Sequence, residues 1–189
     1  LVHKASGQEC LKVDDRIPAF AVKLYDRLPS QEMLVHPFKA HFLPAESVMR
    51  EGDKLLVTFQ KLSHLVTLQL KITDSYIGFN VENVERRDTE LSERLMSPLD
   101  ELILLRLPVM DRDNFGEWLN VMHDKEVAVS VLATDLSCNI DSEKRTGYRI
   151  LEARAVDDIK TLGVGAALIV TETENLLDRI EQLETDFNL

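Results

Sequence analysis

The sequence predicts a mainly β protein, an antiparallel β-sandwich with a C-terminal helix. Three observations predict it. Val66, Leu68, Leu70 and Ile72 alternate with Thr67, Gln69, Lys71 and Thr73, the period-2 pattern of a strand with one face on a core and one in water. The turn residues Thr73-Asp74-Ser75 then lead into Ile77, Phe79 and Val81, with Gly78, Asn80 and Glu82 between them. Residues 64–83 therefore read as an antiparallel hairpin. At the far end the period changes: Leu176, Ile180, Leu183 and Phe187 follow helical spacing, with Leu177 widening the stripe.

In chain order, Ala19–Tyr25 and Met33–Phe42 are weaker strand candidates. Pro18, Pro29, Pro37 and Pro44 interrupt them and place them at edges or in loops. Leu55, Val57 and Phe59 alternate after the turn Gly52-Asp53. Glu82–Glu93, with Arg86-Arg87-Asp88 and Glu90, reads as a solvated connector. Leu102–Leu107 is an apolar run ending at Pro108, the composition of a buried strand. Asp111–Asp113 reads as a loop, and Asp141 and Glu143 fall in a polar loop. Phe115–Met122 suits a strand better than a short helix, because a turn at His123-Asp124-Lys125 follows. Glu126–Thr134 places Val127, Val129 and Val131 on one face, and Tyr148–Val156 does the same with Leu151, Ala153 and Ala155. Ala166–Val170 is a short buried strand after Gly163-Val164-Gly165. Thr171 followed by Glu174 has the spacing of a capping box at the start of the helix. No repeat or low-complexity linker divides the chain, so residues 1–189 are expected to form one sandwich domain.

Composition narrows the function. The 189 residues are 44% hydrophobic and 29% charged, enough apolar content for a core. Lys+Arg 22 against Asp+Glu 33 gives a net charge of -11, the wrong sign for nucleic acid or an anionic membrane surface. No apolar run reaches roughly 18 residues, so no spanning helix is expected. Two cysteines, Cys10 and Cys138, exclude a disulfide-dense scaffold; they either pair or remain as buried free thiols.

Chemistry-bearing patterns are few. The histidines are His3, His36, His41, His64 and His123; His36 and His41 are five apart, which is not the i, i+4 pairing of zinc sites. Neither a metal nor a cofactor is expected. Asp111 and Asp113 flank Arg112, and Asp157-Asp158 form another acidic pair. Paired carboxylates serve glycoside hydrolysis, yet in so acidic a chain close pairs arise by chance and read as solvated loop charge. No Gly-x-Ser-x-Gly is present, and Gly163-Val164-Gly165 lacks the third glycine of a dinucleotide fingerprint. Trp118, the sole tryptophan, suits either core packing or a platform on which a pyranose stacks its C–H face.

In this order, Leu104-Leu105-Arg106-Leu107-Pro108-Val109, Trp118-Leu119-Asn120-Val121, Lys125–Leu132, Ala153-Arg154-Ala155, Gly165–Val170 and Glu174–Leu183 resemble a known domain. It is the N-terminal domain of large bacterial α-glycosidases, where a mutarotase-like sandwich precedes a catalytic (β/α)₈ barrel. The likeness covers residues 100–189 and, more loosely, the hairpin at 54–83. It implies a non-catalytic accessory domain of a polysaccharide-degrading glycoside hydrolase. Such a domain supports a downstream catalytic domain of the same chain, lends a loop to the sugar site, and is exported to the periplasm or cell surface. A barrel needs roughly 250 residues, so no catalytic residue carries over. The chain opens Leu1-Val2 without an initiator Met and stops just after a helical pattern, and so reads as part of something longer. The alternative is a free-standing carbohydrate-binding or adhesion module. Trp118, Asp111 and Asp113 are the candidates for glycan contact.

Overall fold

The computed structural model describes residues 1–3, 6–12, 14, 16–25, 40–59, 64–86, 101–156 and 161–189. Two wholly antiparallel sheets form the fold. The five-stranded sheet runs in the order β11 (Cys138–Arg145), β12 (Tyr148–Val156), β7 (Glu101–Met110), β1 (Ala21–Tyr25), β2 (Ala40–Pro44). The eight-stranded sheet runs β3 (Ser47–Glu51), β4 (Lys54–Phe59), β5 (His64–Ile72), β6 (Ile77–Arg86), β13 (Gly165–Glu172), β10 (Val127–Ala133), β9 (Val121–His123), β8 (Asn114–Gly116). A 3-10 turn (Thr173–Asn175) leads into α1 (Leu176–Phe187).

The core lies between the sheets. Val22, Leu102, Leu104, Leu151 and Ala153 of one meet Val57, Val66, Leu68, Val81, Val129 and Val131 of the other. A second cluster lies on the outer face of the larger sheet, where Leu176, Ile180 and Leu183 of α1 cover Ala128, Ala167 and Ile169. Burying those three helix side chains stabilises the docking by roughly 2 kcal/mol each. Strands β10 and β13 therefore bury both faces, and the small Ala128 and Ala167 let the helix approach.

The mainly β class and the C-terminal helix agree with the sequence, and several details differ. The alternating hairpin is β5–β6, paired from Ile72↔Ile77 to His64↔Arg86. Phe115–Met122 is not one strand: β8 and β9 flank a turn at residues 117–120. Residues 138–145 are an edge strand and not a loop, and β3 was not legible at all. All five β3 side chains are exposed, so no alternation marks it. The apolar run does not stop at Pro108 but continues to Met110. Arg106 N–H donates to Ala19 O (2.9 Å) and Met110 N–H to Cys10 O (3.0 Å). Pro108 falls between them on the same flank, in the gap where β1 has ended, so its missing N–H breaks no ladder bond. Thr171 does not cap the helix: it is buried in β13, and no side chain caps either helical start. Leu177 lies outside the apolar stripe, 65% exposed. Cys10 and Cys138 are both free and buried, and burial pushes the Cys138 thiol up to about 12. Residues 33–39, 87–93 and Asp157-Asp158, which carried further expectations, lie outside the described residues, as does His36.

Candidate functional site

The turn joining β8 to β9 carries Trp118. Gly116 and Val121 pair at its base, and a Cβ on Gly116 would come within 2.8 Å of Val121 Cγ1, so only glycine lets the two strands close here. Asn120 N–H donates to Glu117 O (3.1 Å), closing the turn. Asn120 itself adopts φ 42, the left-handed region that asparagine tolerates better than most residues. Three further bonds tie the turn to β10. Asn120 Nδ2 donates to Val131 O (3.1 Å), Ser130 Oγ donates to Leu119 O (2.6 Å), and Val131 N–H donates to Asn120 O (3.4 Å). Asn120 and Ser130 are themselves buried. A braced turn of this kind holds its outermost side chain in the solvent. Trp118 is 98% exposed, which removes core packing as its role.

Trp118 stands over a cleft of about 630 Å³ that bridges the edge strands of the two sheets. Leu132, Ala133 and Ile140 give it apolar walls, while Glu117, Asn120, Asp141 and Ser142 supply polar groups. Asp141 accepts from Arg154 (3.1 Å) on the neighbouring β12. An aromatic plate beside fixed carboxylate, amide and hydroxyl groups can stack on the C–H face of a sugar and bond its hydroxyls.

Asp111 and Asp113 do not join it. Both are exposed just past the end of β7, and neither lines the cleft beside Trp118. Arg112, between them, points the other way. Its guanidinium donates to Asp124 (2.6 Å) and lies 3.6 Å from Cys10 Sγ. Burial works against the Asp124 charge, but the Val127 and Glu126 N–H groups and Arg112 outweigh it and hold its carboxyl below the ordinary value. Asp124 thus caps the turn into β10. No group of three or more His, Cys, Asp or Glu side chains able to hold a metal occurs among the described residues.

Glu117, Asp141 and Ser142 were not singled out as cleft residues by the sequence. Their grouping depends on β11 meeting the β8–β9 turn across the sandwich edge, and no local spacing records that. Sequence reading also missed a chain at the N-terminus. His3 Nδ1 lies 2.8 Å from Ser6 Oγ and Nε2 lies 3.5 Å from Glu172 on β13. Gly7 N–H donates to His3 O (2.8 Å) across the same turn, so the buried imidazole fastens the N-terminal loop to the sheet. No helix among the described residues is long and apolar enough to cross a membrane. Comparison with protein-family models, with curated proteins and with solved structures finds no match to this chain.

Proposed function

We propose that the chain is a non-catalytic β-sandwich module of a polysaccharide-degrading glycoside hydrolase, and that it contacts glycan through Trp118 and the cleft beneath it. The observation that carries the reading is the full exposure of the only tryptophan on a turn braced by buried polar side chains. Scattered surface apolar residues need no explanation. An indole held out of the core by bonds from Asn120 and Ser130, above a polar cleft, is better explained by a ligand that covers it. The resemblance of residues 100–189 to glycosidase sandwich domains supports the same ligand class. It also supports a catalytic domain of the same chain as the partner, and export to the periplasm or cell surface. A small hydrolase built on Asp111 and Asp113 is less well supported, because both carboxylates sit in open solvent away from the cleft, and a general acid needs a sheltered one.

The sole tryptophan makes its own assay. Titrating the 189-residue chain with soluble neutral oligosaccharides should shift Trp118 emission to the blue and protect it from acrylamide quenching. Trp118→Ala should lose retention in an affinity gel cast with the matching polysaccharide, with an unchanged melting curve. Release of reducing sugar by the chain alone would overturn the non-catalytic assignment. The absence of any emission change across the panel would overturn sugar contact.

A further inference from the structure

We infer that the cleft beside Trp118 is one end of a longer binding site. It runs across β11 onto the outer face of the five-stranded sheet as far as Phe42, and it takes a neutral glycan of several residues in preference to an anionic one. The inference rests on the sugar-contact reading above and extends it to chain length and charge class.

Continuity comes first. Asp141 and Ser142 line the Trp118 cleft and also a second one, of about 250 Å³, whose far wall is Phe42. β11 and β2 are the two edges of the five-stranded sheet, four strand spacings or about 19 Å apart. Register sets Phe42 level with Lys23 and Glu101 but Asp141 level with Glu152 and Arg106, so a ligand reaching both aromatic residues crosses the sheet obliquely. Phe42 is 40% exposed and has the Arg106 guanidinium 4.7 Å from its ring centroid. That contact fixes the ring as a second stacking surface.

The floor between them is a charge network. Cross-strand register sets Asp141 opposite Glu152 and Glu152 opposite Arg106. Arg154 lies 3.1 Å from Glu101, 3.1 Å from Asp141 and 2.9 Å from Glu152. Arg106 lies 3.0 Å from Glu152 and 3.7 Å from Glu143, and Lys23 lies 3.1 Å from Glu101. Each of these cations already has carboxylate partners. With Arg145 also on Glu143, Lys23, Arg106, Arg145 and Arg154 stand against Glu101, Asp141, Glu143 and Glu152, so the described network is balanced and each of its cations is engaged. A uronate, sulfate or phosphate would have to compete with those carboxylates for the cations.

A neutral polyol meets no such barrier. Its hydroxyls donate to spare carboxylate lone pairs, and their oxygens accept. The Nε atoms of Arg106 and Arg154 are buried against Glu152 and Glu101, so the network meets a ligand through the exposed carboxylates of Asp141 and Glu143. Because the network already holds these side chains in place, a glycan binds them at little further ordering cost.

The test reads Trp118 emission during titration with neutral oligosaccharides of two and six residues, and with oligogalacturonate. The six-residue ligand should bind about tenfold tighter than the two-residue one, the gain expected of a second aromatic contact. Phe42→Ala should erase that gain while leaving two-residue binding intact, and Phe42→Tyr should keep it. Oligogalacturonate should not compete, and added salt should change neutral binding little. A six-residue gain that survives Phe42→Ala, or preferential binding of oligogalacturonate, would overturn the extended site while leaving Trp118 as a sugar contact. No emission change with any glycan would overturn both.

Discussion

Asn120 shows how one residue converts local strain into a presented side chain. Its left-handed backbone carries a cost, and the bond from its amide to Val131 O compensates for it. Asn120→Ala loses the bond and keeps the strain, and should destabilise the fold by about 2 kcal/mol. Asn120→Gly relieves the strain and should cost less. Chemical denaturation of the three proteins gives that ranking, and an Asn120→Ala variant as stable as the parent would show that the turn stands without its brace. None of this is legible locally. Asn120 reads as one polar position in an apparent strand, because its partner lies eleven residues away on β10. The exposure of Trp118 follows from that partnership, which is why residue type alone left its role open.

At the scale of elements, α1 is held on its sheet by charge as well as by apolar burial. Lys71 of β5 donates to Asp186 (2.9 Å), Tyr76 O–H donates to the same carboxylate, and Gln182 donates to its other oxygen (2.8 Å). Lys71, then Tyr76 and Gln182, hold the Asp186 carboxyl down at about 2, against about 3.9 in an unfolded chain. A depressed folded pKa adds stability that is complete above the unfolded value and is lost as pH falls through the folded one. Denaturation midpoints should therefore fall between about pH 4 and pH 2, and less steeply for Asp186→Asn. Equal slopes would mean that the contact adds nothing to the docking of the helix. The helical stripe was legible because three of its four positions, Leu176, Ile180 and Leu183, are buried. The edge strands β3 and β11 were not. Every β3 side chain is in solvent, and β11 alternates between polar residues on one face and a mixed set on the other, so hydrophobic period carries no signal there.

At the scale of the whole molecule, the class was legible because strands with one wet face write their geometry into the sequence, as β5 does. The meeting of β8, β9 and β11 at one end of the sandwich was not, since it is a property of topology. The same topology has a consequence at the opposite end of the larger sheet. Among the described residues β3 is the last strand in the order and pairs only with β4, and its Val48 and Met49 are about half exposed. A strand with one unpaired flank and apolar side chains is a template on which a second chain can continue the sheet. Solubility on storage should therefore be governed by this edge and not by the core. Val48→Lys should slow the growth of light scattering at high protein concentration while shifting the melting temperature little, and an unchanged rate would place the origin of assembly elsewhere. The molecule would then have two ends of opposite character, the one proposed to contact glycan and the other open to polymerisation.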